Sequence, residues 1–314
     1  MTKTSICLNM IVKNESHIIL NTFENLLKYF NFTYWIISDT GSTDNTCEII
    51  TNYFKEKKIP GELYKDEWKD FGYNRTQALK YAYNKSDYLL IFDADDSIIG
   101  DFKLPLILDS DKYNLYFSNI TKYIRPLLIN NRKHWKFECV LHEYLTNIDP
   151  IYKVKTIEGD YYINSGRTSH RNKNTNKYLQ DAIILEDALK DNDCKYKERY
   201  TFYCANSYRD SNNFNKAIEY YKKVLQLNNW NQEKYVSALN IGNIYKTKNN
   251  MEEALNYWYK AILYDKERLD SIINIMEYYY SNHNHFIINC LYSKIKDYKI
   301  TDVSSKLFIF SKDN

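Results

Sequence analysis

The chain contains little glycine and proline, no closely spaced cysteines and no long apolar run. Only 7 glycines and 4 prolines occur among 314 residues, which argues against disorder and favours long regular helices and strands. The six cysteines form no Cys-x-x-Cys pair, so we expect reduced thiols and neither a disulfide framework nor a zinc site. No segment approaches the ~20 apolar residues of a membrane-spanning helix. These absences predict a soluble, cytoplasmic protein.

A strong excess of charge of either sign is also missing. The formal net charge is +3 with 26% charged residues, so no field that would attract nucleic acid is indicated, and we expect no nucleic-acid partner. The 44% hydrophobic content is enough for the cores of two domains.

The first half of the chain alternates between strand-like and helix-like segments. The pattern predicts strands at 5–12, 34–37, 62–64 and 88–92, and helices at 16–29, from about 46, and at 73–83. This β-α-β-α order predicts a mostly parallel sheet with helices on both faces. Residues 113–163 show strands and hairpins without a clear helix, which suits a smaller antiparallel extension.

The pattern changes near residue 172, and from Tyr178 onward it is almost entirely helical and contains an internal repeat. Tyr208, Asn213 and Ala217 recur 37 positions later as tyrosine, asparagine and alanine, and a degenerate third copy is expected through Tyr280 and Asn289. The arrangement is similar to tetratricopeptide repeats, whose period is about 34 residues. An ordinary helical bundle is the alternative. We therefore expect an α/β domain over 1–171 and a tetratricopeptide-like helical domain over 172–314.

Two carboxylates alternate at the end of the apolar strand 88–92. Asp93 and Asp95 lie where α/β proteins place their ligands, and two hard oxygen ligands suit Mg²⁺ or Mn²⁺, ions that usually also bind substrate phosphates. The alternative is a solvated acidic turn, because aspartate is common in turns.

Four further motifs surround this strand end. They are Met-Ile-Val-Lys-Asn-Glu at 10–15, Asp-Thr-Gly-Ser-Thr-Asp at 39–44, Trp-Lys-Asp-Phe-Gly-Tyr-Asn-Arg at 68–75, and Trp-Lys-Phe at 135–137 followed by Val-Leu-His-Glu at 140–143. In this order the set resembles family-2 glycosyltransferases of the GT-A fold. More narrowly, the chain resembles bacterial and giant-virus proteins that join such a domain to tetratricopeptide helices, and a viral member would lie in the host cytoplasm.

The resemblance implies a nucleotide-sugar donor, with UDP-sugars favoured, and a divalent ion, Mn²⁺ or Mg²⁺. It makes Asp95 the first metal ligand, with Asp93 beside the metal or the ribose and His170 completing the shell. The other donor-binding residues that it implies are Val12, Glu15, Asp39, Arg75 and Arg167.

Glu143 is the implied catalytic base, and His142 is expected to orient it or to help hold the substrate. A sugar hydroxyl must lose its proton as it attacks the anomeric carbon, and a positioned carboxylate accepts that proton. Inversion is expected from the family resemblance.

Each of these residues also has a purely structural alternative. Asp39 and Asp44 suit a turn and a helix cap, Glu15 suits the first turn of a helix, and Arg75 suits an exposed helix face. His170 suits a loop at the domain junction.

The sequence offers three candidate classes of function. The first is a metal-dependent glycosyltransferase acting on a hydroxyl or another nucleophile of a protein or glycan acceptor, which the repeats would hold. The alternative is a non-catalytic repeat scaffold with a degenerate nucleotide-sugar-binding domain. Nucleotidyl transfer would need a glycine-rich triphosphate loop, and residues 10–15 contain no glycine. A second copy of the chain is a further possible partner.

Overall fold

The computed structural model describes residues 4–119, 122–149, 152–297 and 306–307. Contacts between Cα atoms divide the chain into two compact units, Met1–Thr175 and Asn176–Asn314. The first is an α/β unit and the second is helical, which confirms the expected fold class. The domain boundary at residues 171 and 172 stays a prediction. In the described part of the chain, no helix is both long and apolar enough to span a membrane.

The described strands of the α/β unit form one large mixed sheet and one hairpin. In chain order they are β1 (Ile6–Val12), β2 (Tyr34–Asp39), β3 (Gly61–Lys65), β4 (Tyr88–Ile91), β5 (Asp96–Gly100), β6 (Lys112–Phe117), β7 (Tyr123–Asn130), β8 (Trp135–Glu138), β9 (Tyr144–Asn147), β10 (Val154–Thr156) and β11 (Tyr161–Ser165). The sheet order is β3-β2-β1-β4-β7-β6-β11-β5, with β10 beside β6, while β8 pairs with β9. Strands β3, β2, β1 and β4 are parallel, and β7 runs antiparallel to β4.

Helices cover both faces of the parallel strands. They are α1 (Ile19–Leu26), α2 (Thr46–Glu56) and α3 (Phe71–Ala82). Successive side chains of a strand point to opposite faces, so Leu8 of β1 packs with Phe23 and Phe54 of α1 and α2. Its neighbour Cys7 packs with Leu79 of α3 on the other face. Burial on both faces explains why every residue of β4 is buried and apolar.

Helix α1 is shorter than the predicted helix at 16–29. Asn14 has a left-handed φ of 58°, and the Glu15 carbonyl accepts hydrogen bonds from both Ile18 N and Ile19 N. The chain therefore passes through turns before it enters the helix at Ile19. This places residues 13–15 in a loop after the end of β1.

The helical unit contains α4 (Lys177–Ala188), α5 (Lys197–Asp210), α6 (Phe214–Gln226), α7 (Asn231–Thr247), α8 (Met251–Tyr264), α9 (Asp270–Ser281) and α10 (His285–Ile295). The turns α5–α6 and α7–α8 share one geometry, because Asn213 N donates to Tyr208 O at 2.8 Å and Asn250 N donates to Tyr245 O at 2.9 Å. Ala217 and Ala254 are both fully buried.

The third copy of the repeat is present, but its predicted register was wrong. Asn284 N donates to Tyr279 O at 2.9 Å, so the repeated pair is Tyr279 and Asn284 and not Tyr280 and Asn289. Both lie 34 positions after Tyr245 and Asn250. The sequence misled because several tyrosines follow one another at 278–280, whereas only the backbone hydrogen bond selects the one that closes the turn.

Candidate active site

The ends of β1 and β2 are bound to each other at the carboxyl edge of the sheet. Thr40 N donates to the Val12 carbonyl at 2.9 Å. The buried Asp39 carboxylate accepts hydrogen bonds from Gly41 N at 3.3 Å and Ser42 N at 3.1 Å, and Gly41 has a φ of +102° that favours glycine. Asp39 therefore shapes its own loop, and its predicted contact with a base or ribose stays a prediction.

Glu15 is a buried acid in the loop after β1. Its carboxylate oxygens lie 3.3 Å from His170 N, which donates to them. Burial raises the pKa of Glu15 to about 7; the His170 N–H opposes this rise and repulsion from Asp95 adds to it. Glu15 thus lies close enough to Asp95 for the two carboxylates to interact, so both can belong to one site.

Arg75 joins two acids that are distant in the sequence. Its Nε donates to Glu143 Oε1 at 2.8 Å and its Nη2 donates to Asp93 Oδ1 at 2.7 Å. Arg125 Nη2 lies 4.0 Å from the other oxygen of Asp93. We call Arg75, Arg125, Asp93 and Glu143 the Arg75 cluster. The resemblance implies that Arg75 binds the donor. Here its side chain is only 11% exposed and forms ion pairs with two carboxylates, so the donor-binding role stays a prediction.

The charges of this cluster shift the pKa values of Asp93 and Asp96 in opposite directions. Burial raises the pKa of Asp93, but the attraction of Arg75 and Arg125 outweighs it and holds that pKa below its usual range. Burial, together with repulsion from Asp93 and Asp95, raises the pKa of Asp96 to about 8. At neutral pH Asp93 is therefore charged while Asp96 retains its proton.

Asp95 lies in a different environment. Its Oδ2 accepts hydrogen bonds from Ser169 N at 3.1 Å and Asn172 Nδ2 at 3.3 Å, and its carbonyl accepts Gly166 N at 2.9 Å. A Cβ at Gly166 would lie 2.4 Å from that carbonyl oxygen, so only glycine fits there. We call Asp95, Glu15 and residues 166–172 the Asp95 cluster.

Of the three predicted metal ligands, only Asp95 has surroundings that suit a divalent ion. Asp95 fits a divalent ion, because its carboxylate has no cationic partner among the described residues and Mg²⁺ is usually bound by one or two carboxylates together with phosphates and waters. Asp93 is held by two arginines instead, and His170 is exposed in a turn of 3₁₀ helix, His170–Lys173. No three His, Cys, Asp or Glu side chains of the described chain are grouped to hold one ion. The three-ligand shell therefore stays a prediction.

The candidate base lies in the loop between β8 and β9. The Glu143 side chain is 13% exposed, and its Oε2 accepts no hydrogen bond from the residues that the structure describes. His142 is exposed and has a left-handed φ of 54°. Glu143 is thus anchored through one oxygen while the other is available to a substrate proton.

Several residues of the site were missed in the sequence. Arg125 reaches Asp93 from β7, and Ser169 and Asn172 hold Asp95. Of the two late arginines, Arg171 lies over the ring of Phe71 at 4.8 Å, and Arg167 is exposed with a φ of 50°. No local pattern identifies Arg125, Ser169 and Asn172, because each depends on a pairing between distant segments.

Comparisons with known proteins agree with the motif pattern. The glycosyl transferase family 2 profile matches residues 7–157, and the tetratricopeptide repeat profile matches 205–229 and 236–268. These matches confirm the family resemblance. No curated protein matches the chain.

Two solved structures align with most of this chain at low sequence identity. S. aureus TarS 1-349 in complex with UDP-GlcNAc aligns at 14% identity over 80% of this chain and 89% of that one, with a TM-score of 0.39. Mannosyltransferase PcManGT from Pyrobaculum calidifontis, in complex with GDP-Man and Mn²⁺, aligns at 11% identity over 83% of this chain and 88% of that one, with a TM-score of 0.38.

Proposed function

We propose that this chain, whose residues 7–157 are a glycosyl transferase family 2 domain followed by tetratricopeptide repeats, moves a sugar from a nucleotide-sugar to a protein or glycan acceptor. UDP-sugars are the favoured donors. The observation that carries the proposal is the Arg75 fork, which holds Asp93 and Glu143 together at the edge of the sheet where α/β proteins bind ligands.

The transfer is a single displacement with inversion. An acceptor hydroxyl oxygen forms a bond to the anomeric carbon while the bond from that carbon to the diphosphate oxygen breaks. The hydroxyl proton passes to Glu143 Oε2, and Arg75 keeps the carboxylate in place through Oε1. His142, the neighbour of Glu143, contributes to holding the acceptor.

The Asp95 cluster supports the binding of the donor. Val12, Glu15 and Asp39 line the loops that would receive the nucleoside, and Arg167 lies on the segment that would face the diphosphate. A Mn²⁺ or Mg²⁺ ion held by Asp95 supplies positive charge to the departing diphosphate when it is bound.

The test uses water in place of the unidentified acceptor. UDP release from UDP-GlcNAc, UDP-glucose and UDP-galactose is measured with Mn²⁺ for the full chain and for Glu143→Gln. We expect Glu143→Gln to lower the rate by ~10²–10⁴-fold, the usual contribution of a general base, without loss of thermal stabilisation by UDP and Mn²⁺.

The matched control is Glu138→Gln. Glu138 lies in the same hairpin and pairs with Lys136 at 2.7 Å, so its removal tests for general damage to the hairpin. A chain that neither releases UDP nor gains stability from UDP and Mn²⁺ would favour the non-catalytic scaffold.

A further inference from the structure

The loop that carries Glu143 has an unfavourable backbone conformation. We call residues 139–143 the Glu143 loop. Two of its non-glycine residues have left-handed backbones, Cys139 with a φ of 82° and His142 with a φ of 54°. Such conformations are uncommon and persist when surrounding structure enforces them. The ladder between β8 and β9 ends at the pair Glu138 and Tyr144, so the ladder alone does not fix the loop.

The first turns of α3 supply contacts that fix the hairpin and its loop. Phe71 N donates to the Val140 carbonyl at 3.2 Å. Thr76 Oγ1 accepts from Phe137 N at 2.8 Å and donates to Phe137 O at 3.2 Å. At Gly72 the two backbones approach so closely that a Cβ would lie 2.3 Å from Cys139 O.

These contacts lie on the same helix face as Arg75. Positions 75 and 76 lie three and four residues after position 72, so both are neighbours of Gly72 on one side of α3. That face holds the backbone of the hairpin through Gly72 and Thr76 and the carboxylate of Glu143 through Arg75. Movement of the loop away from the helix would separate Glu143 from Arg75 and from the strand ends at the same time.

We infer that Gly72 and Thr76 are positioning residues for Glu143: they clamp the hairpin to α3 so that the carboxylate meets the acceptor at the correct distance. The inference rests on the proposed function, because it takes Glu143 as the base. A displacement of 1 Å in a reacting group costs about 10²-fold in rate, and the close approach at Gly72 leaves no room for even one added methyl group.

The main test is Gly72→Ala in the full chain, measured by UDP release from the best of the three UDP-sugars with Mn²⁺. We expect kcat to fall by about 10²-fold with an unchanged KM for the donor. Amide hydrogen exchange of residues 139–143 should become faster.

The matched control is Gly242→Ala. A Cβ at Gly242 would lie 2.4 Å from Trp258 Cδ1, so this variant introduces a comparable clash in the helical unit. We expect it to lower stability while kcat and exchange in the Glu143 loop stay as in the unmodified chain.

Thr76 provides a second test if Gly72→Ala does not fold. Thr76→Val keeps the shape but loses both hydrogen bonds to Phe137, whereas Thr76→Ser keeps the hydroxyl. We expect Thr76→Val to lower kcat and speed exchange in the loop, and Thr76→Ser to restore both.

The outcomes separate the inference from the proposed function. An active parent chain with unchanged kcat in Gly72→Ala and Thr76→Val overturns the positioning role. A parent chain that releases no UDP overturns the proposed function, and the exchange rates then decide alone whether α3 clamps the loop.

Discussion

Both halves of the candidate site contain buried or half-buried carboxylates, but a cation binds them in one half and neutral N–H groups bind them in the other. In the Arg75 cluster, Asp93 and Glu143 are held by the side-chain cation of Arg75. In the Asp95 cluster, Asp95 and Glu15 are held by neutral N–H groups of residues 169–172. The guanidinium of Arg75 balances the charge of the carboxylates that it binds, whereas the neutral donors leave Asp95 without a cationic partner among the described residues.

This difference assigns different tasks to acids that look alike in the sequence. Asp93 and Asp95 are two residues apart, yet one balances an arginine and the other fits a metal ion. Charge-assisted hydrogen bonds in a fork are about twice as strong as neutral ones, so the Arg75 cluster is the rigid half. The Asp95 cluster, which is held by neutral donors, is the less rigid half.

Removal of the shared cation should have the largest effect. Arg75→Met leaves Glu143 without a cation and Asp93 with only Arg125 at 4.0 Å, and breaking a buried pair in this way costs about 3–5 kcal/mol. Urea unfolding measures the loss. The control Arg132→Met removes an exposed pair with Asp87, whose side chains are 53% and 48% exposed, and should cost about 0–1 kcal/mol. Equal losses would contradict the rigid role of the Arg75 cluster.

The stabilisation that Mn²⁺ adds should depend on Asp95 and not on Asp93. UDP with Mn²⁺ at about 100 times its Kd stabilises a folded protein by about 2.7 kcal/mol. We expect Asp95→Asn to lose the Mn²⁺-dependent part of this gain and Asp93→Asn to keep it, although Asp93→Asn starts from a lower stability. Thermal unfolding with and without Mn²⁺ checks this. The reverse result would place the ion at Asp93.

Glu15 should give the Asp95 cluster a distinct pH dependence. Its pKa is about 7 in the folded chain against 4.5 as the ordinary value, so the folded state binds more protons between these values. The contribution of Glu15 to stability is therefore complete below pH 4.5 and is lost as the pH rises through 7. Glu15→Gln should remove that part of the decline in the free energy of unfolding.

The control for this prediction is Asp44→Asn in the adjacent loop. Burial alone would raise the pKa of Asp44, but hydrogen bonds from Thr46 and Ser16 outweigh it and lower this pKa to about 2. The stability linked to Asp44 is lost only as the pH falls below its ordinary value of 3.8. Asp44→Asn also removes the repulsion that Asp44 exerts on Glu15, which is weaker than that from Asp95, so it should change the slope of the free energy of unfolding between pH 4.5 and 7.5 much less than Glu15→Gln does. If the free energy of unfolding of Glu15→Gln falls with pH as steeply as that of the parent chain, Glu15 is not the source of this pH dependence.

The smallest effect is expected at Asn172. Asn172→Ala removes the hydrogen bonds from Asn172 Nδ2 to Asp95 Oδ2 at 3.3 Å and to Ser169 Oγ at 2.7 Å. Ser169 N still donates to Asp95, so the cost should be about 0.5–1.5 kcal/mol for each lost hydrogen bond. Asn164→Ala, at an exposed position of β11, is the comparison in urea unfolding. A loss as large as that of Arg75→Met would mean that the two clusters are equally rigid.

Much of the fold could be predicted because its signals are local. Apolar runs and the polar residues that end them placed Asp39, Asp93 and Asp95 near strand ends, and repeated residues located the helix pairs. A strand end identifies which residues reach the edge of a sheet, but it does not identify their partners.

The partners of these site residues could be identified only in the folded chain. Arg75 and Glu143 are 68 residues apart and Asp95 and Ser169 are 74 apart. Arg125 reaches Asp93 from a strand whose pairing with β6 shifts register between Tyr113 and Asn114. Such a shift moves side chains between faces, and no pattern in the sequence marks it.

The helical unit has a property that suits it to protein engineering. Asn249 and His283, with φ values of 57° and 54°, stand directly before the helix-starting residues Asn250 and Asn284. Both junctions thus have the same backbone geometry. A second copy of residues 250–283 inserted after His283 would join a left-handed residue to a helix start, as the native chain does. Segment 250–283 is therefore a cassette whose duplication should lengthen the array by one helix pair.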